Sequence, residues 1–344
     1  MSEAGSRDGN PAAVPFLPEA AAWLGAAALP SRLAVAWSGG ADSTALLLAL
    51  LSQGYRVEAW HIDHGWRADS ASEAEQLGQR AMQWGVPFFS ARCPAVSTGN
   101  REAAARDFRY RQFAAWAGSH DVHALCLAHH REDQAETICL RMLQWSGVHG
   151  IRGMAQMRDA GHLRLYRPLL HVPRRDLRAA LRQAGVSWFE DPSNRDLSLW
   201  RNRIRHRLFP AMHAAGTDPC KLFLRWGEQA ARLAAVIDAG VAGVPMVHAA
   251  GSVSVAWHDW SALVPPARAR LLQRMMRAAL GEGVVPGRRH IRMVEAWSVR
   301  SGAGGLDLSR CRLQRRKGRL YLVPVAESHG NPGMIGDSSN FHAS

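Results

Sequence analysis

The run Leu33-Ala34-Val35-Ala36-Trp37-Ser38-Gly39-Gly40-Ala41-Asp42-Ser43-Thr44-Ala45-Leu46-Leu47-Leu48 decides the fold. A short apolar segment breaks into a Ser-Gly-Gly turn, and an apolar helical run follows that ends before Gly54. Strand, loop and helix in that order bring the unpaired N–H groups of a helix start beside a turn whose glycines carry no Cβ. That is a place for an anion. Asp42 narrows the choice, because a carboxylate beside phosphates is repelled unless a divalent cation such as Mg²⁺ lies between them. The residues therefore point to a site for a nucleotide with its metal. The plainer alternative is an ordinary tight turn with Asp42 or Ser43 capping the helix. No GxxxxGK[ST] string occurs anywhere, so a Walker-type P-loop is not supported.

Outward from this stretch, strand and helix patterns alternate. Residues 56–62 read as a second strand closed by Asp63-His64-Gly65, and Ser70-x-x-Glu73 opens a helix to Trp84 that Gly85 stops. A third strand is expected at 86–90. Asn100 caps a helix through Arg106, Phe108, Arg109 and Phe113 to Ala117, a fourth strand covers 123–128, and a helix follows at 130–143. This alternation predicts right-handed crossovers and a doubly wound, mainly parallel α/β sheet. Ligands of such sheets bind beyond the carboxyl ends of the strands, where Ser38, Asp63 and His129 all fall.

A second cluster lies in His129-His130-Arg131-Glu132-Asp133-Gln134-Ala135-Glu136-Thr137. If the helix begins at the left end, His129, Asp133 and Glu136 stand at i, i+4 and i+7 and share one face near the phosphate loop. The bland reading is an acidic first turn that complements the helix dipole. Further on, 163–170 suggests a strand, 174–183 a helix closed by Gly185, and Asp191-Pro192-Ser193-Asn194 a surface loop. Arg195, Arg201, Arg203, Arg205 and Arg207 then gather five guanidinium groups beside Trp200, on a helix expected to end at Pro210. Such a cluster suits phosphate contacts to RNA, or else is a solvated basic face.

Taken together these strings resemble the tRNA(Ile)-lysidine synthetase family of PP-loop ATP pyrophosphatases. The resemblance rests on SGGxDS at 38–43, His-His-x-x-Asp-Gln-Ala-Glu-Thr at 129–137 and His61-Ile62-Asp63-His64-Gly65-Trp66-Arg67, with Trp66 where leucine is usual. It also rests on Ala105-Arg106-x-x-Arg109-Tyr110-x-x-Phe113, Arg167-Pro168-Leu169-Leu170, Glu190-Asp191-Pro192-Ser193-Asn194 and Arg201-Asn202-Arg203-Ile204-Arg205. It covers about residues 30–210. One departure is Gln144-Trp145-Ser146-Gly147, where members commonly carry a Gly-Ser-Gly-like loop.

The resemblance implies a carbon–nitrogen ligase that joins L-lysine to the anticodon cytidine of a CAU-anticodon isoleucine tRNA, turning ATP into AMP and pyrophosphate. It implies ATP binding by Ser38, Gly39, Gly40, Ala41, Asp42, Ser43 and Asp63, with Mg²⁺ between Asp42 and Asp133. Asp133, Glu136 and His129 would bind and deprotonate lysine, and Arg106 and Arg109 would contact phosphate or the adenylated base, unless they only pair with Glu102 or Asp133. Arg195, Arg201, Arg203, Arg205 and Arg207 would hold the tRNA. The competing readings are a PP-loop tRNA thiolase, for which paired cysteines are missing, a glutamine-dependent synthetase of NAD or GMP type, and a non-catalytic RNA- or ATP-binding module.

The whole chain sets the frame. Its 344 residues suffice for two domains, and 42 Lys+Arg against 29 Asp+Glu give a formal charge of +13, which suits a polyanionic partner. The five cysteines form no C-x-x-C pair, which suits reduced residues. With no long apolar run and no signal-peptide pattern, a cytoplasmic protein without a membrane span is expected. The expected divisions are a disordered lead-in at 1–15, a catalytic domain at 16–215 that includes a helix at 19–28, a smaller, mostly helical tRNA-binding domain at 216–328, and a flexible tail at 329–344. The last domain is expected to hold helices at 221–239, 266–280 and 289–299 and a hairpin over 308–323 turning at Lys317-Gly318.

Overall fold

A computed structural model describes residues 29–65, 70–94, 101–190, 196–249, 251–281, 284–300 and 304–325. The expectations for 1–28, Trp66, Asn100, Asp191 to Asn194, Arg195 and 329–344 lie outside the described residues. The chain forms two compact units, one through Glu228 and one from Gln229.

The first unit begins with β1 (Arg32–Ala36), α1 (Ala41–Ser52), β2 (Arg56–Asp63), α2 (Ser70–Gln83), β3 (Phe88–Arg92), α3 (Arg101–His120), β4 (Ala124–Cys126) and α4 (Arg131–Leu143). A short α5 (Val148–Ile151), β5 (Met157–Ala160), β6 (Leu163–Tyr166) and α6 (Arg174–Gln183) follow. The strands lie in the order β3-β2-β1-β4-β6-β5, all parallel except β5, which pairs with β6 as an antiparallel hairpin. The strand expected at 163–170 ends at Tyr166, and β5, which the sequence did not show, is joined to it by a turn at Gly161, at φ 65°.

Alternation along β1 sorts the core. Leu33, Val35 and Trp37 pack with α1, α2 and α6 on one face, while Ala34 joins Trp60, Phe113, Leu125 and Leu165 on the other. Helices on both faces give the doubly wound arrangement that the strand and helix spacing implied. The strand order reverses direction at β1, so the loops after β1 and β4 open into one crevice.

Residues 200–214 form one continuous helix, made of α7 (Trp200–Arg203), a π-helical turn (Ile204–Leu208) and α8 (Phe209–Ala214). The helix does not end at Pro210 as expected. Proline has no N–H and its ring presses on the carbonyl four residues back; the wider turn just before it accommodates both defects. Next, α9 (Pro219–Ala242) runs across the division between the units. Its Phe223 stacks on Phe209 at 5.7 Å, which ties its first turns to the first unit and moves the division beyond the expected 215.

The second unit contains β7 (Val247–Ala249), β8 (Ser252–Ala256), α10 (Trp257–Ala262), α11 (Pro265–Leu280), α12 (Arg288–Val299), β9 (Gly305–Leu308), β10 (Cys311–Arg316) and β11 (Arg319–Pro324). The expected hairpin is present, with Lys317 and Gly318 both at positive φ in its turn. Around it stands an antiparallel sheet, β7-β8-β11-β10-β9, of which the sequence showed only the hairpin, beside the expected helices. Three of those strands are only three to five residues long, too short for a periodic signal.

Candidate active site

The loop after β1 is built around a glycine. Gly39 stands at φ 80°, and a Cβ there would lie 2.8 Å from both Leu77 Cδ2 and Phe189 Cδ2. Only glycine fits. The helix α1 starts from Gly40 without a side-chain cap, so the capping alternative for Asp42 and Ser43 does not hold. Instead Ser43 Oγ donates to Gly40 O at 3.2 Å and accepts from Ser38 N at 3.2 Å, and it lies 3.1 Å from Ser38 Oγ. Trp37 Nε1 donates to Thr44 Oγ1, and Phe189 N to Gly39 O, which fix the two ends of the turn.

This loop forms one wall of a cavity of about 350 Å³ lined by Ser38, Gly40, Ala41, Asp42, Asp133 and Arg174, among others. Asp42 is buried enough to raise its carboxyl above the usual range, against the pull of His130 and Arg174, and its Oδ1 has no hydrogen-bond partner. A buried carboxylate oxygen without a hydrogen-bond partner at the start of α1 fits a hydrated Mg²⁺ carried by phosphate.

The second wall departs from the sequence reading by one residue. The helix α4 starts at Arg131, so His129 precedes it and His130 becomes the N-cap residue that reaches the cavity. His130 Nε2 lies 3.6 Å from Asp42 Oδ2 and 3.3 Å from Asp133 Oδ2, and its Nδ1 lies 3.1 Å from Glu132 Oε2. Burial opposes a charge on this imidazole, yet the surrounding carboxylates outweigh it and raise its affinity for a proton. His130 thus stands between the two expected metal ligands, within 3.6 Å of Asp42 and 3.3 Å of Asp133. No sequence signal separated it from its neighbour.

His129 is a correction. Its Nδ1 accepts from Arg167 Nε at 3.2 Å, and burial, with repulsion from Arg167, Arg201 and Arg109, pushes its pKa down to about 3. An imidazole so disfavoured as a cation is a poor base for an ammonium.

Glu136 and the arginines at 201 and 205 need a second correction. Glu136 is 1% exposed and does not line the cavity. Arg205 donates from Nε to Glu136 Oε1 at 2.7 Å and from Nη2 to Oε2 at 2.8 Å, and Arg201 Nε reaches Oε2 at 3.1 Å. Arg205 also donates to Asp133 Oδ1 at 3.2 Å. The basic series therefore divides by helical face. Arg201 and Arg205, at i and i+4, turn inward onto the acids, while Arg203 and Arg207 are exposed. Arg203 lies over Trp200 at 5.0 Å. Asp133, held by His130 and Arg201 against the cost of its burial, has a carboxyl pulled well below the usual range.

Two further residues gave no signal in the sequence. Arg174 and Arg178, one turn apart on α6, line the cavity, and the Nε atom of each is buried without a hydrogen-bond partner; that of Arg174 lies 4.0 Å from Asp42 Oδ2, and Arg178 pairs through Nη2 with Glu190 at 3.0 Å. They reach it because α6 packs on α1 through Leu177, Ala180 and Leu181. Conversely, Asp63, Arg106 and Arg109 do not line the cavity. Asp63 Oδ1 accepts from Gly65 N at 2.8 Å and its Oδ2 faces Arg92 at 3.6 Å, while Arg106 and Arg109 both lie over Tyr110. Asp133 pairs with neither of those arginines in the ion pairs it makes; His130 and Arg205 hold it.

Residues 20–212 match the PP-loop domain model of an ATP-binding family. Along a longer stretch, the chain is 34% identical over 301 residues to the tRNA(Ile)-lysidine synthase of Streptomyces coelicolor, covering 84% of each. The chain belongs to the tRNA(Ile)-lysidine synthase family. The synthase of Chlamydia pneumoniae is 37% identical over 210 residues, 60% of this chain and 66% of that protein. The match to the Pseudomonas fluorescens synthase, 39% over 195 residues, takes in 55% of this chain and 43% of that protein. The chain thus spans between 43% and 66% of the length of these two relatives. A U34-tRNA thiolase of Methanococcus maripaludis aligns with TM-score 0.48 at 12% identity, over 58% of this chain and 70% of that one. Among the described residues no helix is long and apolar enough to cross a membrane.

Proposed function

We propose that this protein ligates L-lysine to C2 of the anticodon cytidine of a CAU-anticodon isoleucine tRNA, consuming ATP. One observation carries this reading beyond family membership: a single cavity joins the Ser38–Ser43 loop to a carboxylate and guanidinium cluster. An anion site and a site for a zwitterion share one chamber.

The chemistry needs two steps. First the cytosine O2 attacks the α-phosphorus of ATP, the bond to the β-phosphate oxygen breaks, and the electron pair leaves with pyrophosphate. Ser38 and the backbone of Gly40 to Asp42 line the cavity toward that charge, and the guanidinium groups of Arg174 and Arg178 line it as well and would receive it. Asp42 would hold a Mg²⁺, which supplies neutralisation of the polyphosphate. For Asp133 to serve as a second ligand, it would give up its bond to Arg205 or to the His130 N–H. In the second step the lysine ε-amine attacks C2 and AMP departs with the electron pair of the C2–O2 bond.

Asp133, which lines the cavity, binds rather than deprotonates in this arrangement, since a carboxylate held by arginines takes up a proton poorly, while the buried Glu136 holds Arg201 and Arg205 in place. A cluster that mixes carboxylates and guanidinium groups can exchange its internal pairs for the ammonium and carboxylate of an amino acid. The exposed Arg203 and Arg207, and the second unit with its basic chain, are assigned to the tRNA; the protein is placed in the cytoplasm. None of the five cysteines lines the cavity, and no observation favours the thiolase reading.

The test is incorporation of radiolabelled lysine into unmodified CAU-anticodon isoleucine tRNA, with pyrophosphate release followed as lysine or tRNA is omitted. Incorporation that requires ATP supports the proposal, and its absence with purified, folded protein overturns it. Asp42→Ala is expected to lower pyrophosphate release by about 10³-fold, while leaving tRNA retention on a filter unchanged.

A further inference from the structure

The helix α4 ends in a turn that normally calls for glycine and here holds tryptophan. Trp145 N donates to Met142 O at 2.9 Å and Ser146 N to Arg141 O at 2.8 Å, the paired bonds of a Schellman motif whose left-handed residue is Trp145 itself, at φ 55°. A bulky L-residue is strained there, since its Cβ crowds the backbone. The strain is not offset by burial: Trp145 is 74% exposed. So exposed a ring on an unfavourable backbone leaves most of its surface open to a ligand.

The segment that follows Trp145 in the chain is held firmly. Arg141 Nη1 donates to Gly150 O at 2.7 Å and to Gly153 O at 2.8 Å, and the Gln134 amide pairs with both N and O of Met154, at 2.8 and 3.0 Å. It is also cationic. Arg152 and Arg158 are exposed and, among the described residues, neither has a carboxylate partner. Burial first, then repulsion from Arg152 and Arg201, pushes the Arg141 guanidinium down from its usual value. Arginine therefore follows arginine from Arg201 in the cavity wall, through Arg141, to Arg152 in the loop that carries the indole.

We infer that the 144–152 loop is an RNA-contact surface in which Trp145 stacks on an unpaired base while Arg152 holds phosphate. A rigid aromatic ring flanked by unneutralised cations is what single-stranded RNA binds; a protein partner would leave these arginines to be desolvated without acids. This rests on the proposed tRNA substrate and adds a surface apart from Arg203 and Arg207.

Replacing the indole separates function from folding, because glycine suits the backbone of this turn. Trp145→Gly is expected to melt at or above the wild-type temperature, yet to bind the unmodified isoleucine tRNA transcript about 5- to 100-fold more weakly by filter retention. Trp145→Tyr is expected to recover most of the affinity, and Arg152→Gln to reduce the slope of log K against log salt by about 1. ATP affinity, measured by calorimetry without RNA, is expected to stay unchanged in all three. Wild-type retention by Trp145→Gly overturns the inference alone. So does a fall in melting temperature that accompanies the loss, since the indole is then structural. Failure of the wild-type protein to retain the transcript overturns the proposed function with it.

Discussion

Glu136 has both carboxylate oxygens held by guanidinium groups in a nearly closed environment. Removing a partner from such a pair strands a charge in low dielectric, whereas cutting an exposed arginine costs little. Arg205→Ala is thus expected to lower stability by about 3–5 kcal/mol in a denaturant titration, and Arg207→Ala by less than about 0.5 kcal/mol. Equal effects would mean that the two arginines do not occupy different faces. The i, i+4 spacing that sorts them was visible in the sequence, but which pair turns inward depends on what the helix lies against. Likewise, a one-residue change in the start of α4 exchanges His129 for His130 at the cavity. Helix starts are set by the local cap, which a pattern of apolar residues does not locate.

At the scale of elements, β1, its loop and α1 could be read directly because each signal is local: apolar run, paired glycines, apolar helix. The contribution of α6 could not, since Arg174 enters the site only through packing on α1, far away in sequence. Long-range pairing also fixes the sheet's second face. Glu58 on β2 accepts from Arg32 of β1 at 2.8 Å, from Trp60 at 3.1 Å, and is 3.0 Å from His120 Nδ1 of α3. Burial would raise its pKa, but these hydrogen bonds, that of His120 foremost, lower it below the model-peptide value of 4.5. The sign follows: the stabilisation is complete above about pH 4.5 and is lost as pH falls through the lower folded-state value. Glu58→Gln is expected to cost about 1–3 kcal/mol at pH 7 and to flatten the dependence of melting temperature on pH below 4.5. An acid limb as steep as that of the wild-type protein would show that other carboxylates govern it.

For the molecule as a whole, a formal charge of +13 makes attraction to any polyanion unsurprising, so charge alone does not locate the RNA. Location comes from asking which arginines are already committed. Arg201, Arg205, Arg268 and Arg270 each pair with a carboxylate within their own unit, whereas Arg203 and Arg207 are exposed and have no acid partner among the described residues. Counterion release makes this measurable: each phosphate neutralised adds about 0.7–0.9 to the slope of log K against log salt. The double variant Arg203→Gln/Arg207→Gln is therefore expected to bind tRNA more weakly at every salt concentration and to lose about 2 from that slope. Lysine incorporation at saturating tRNA should persist, because neither side chain lines the cavity. An unchanged slope would place the RNA on another face, and a loss of incorporation at saturation would mean that this surface also positions the reacting cytidine.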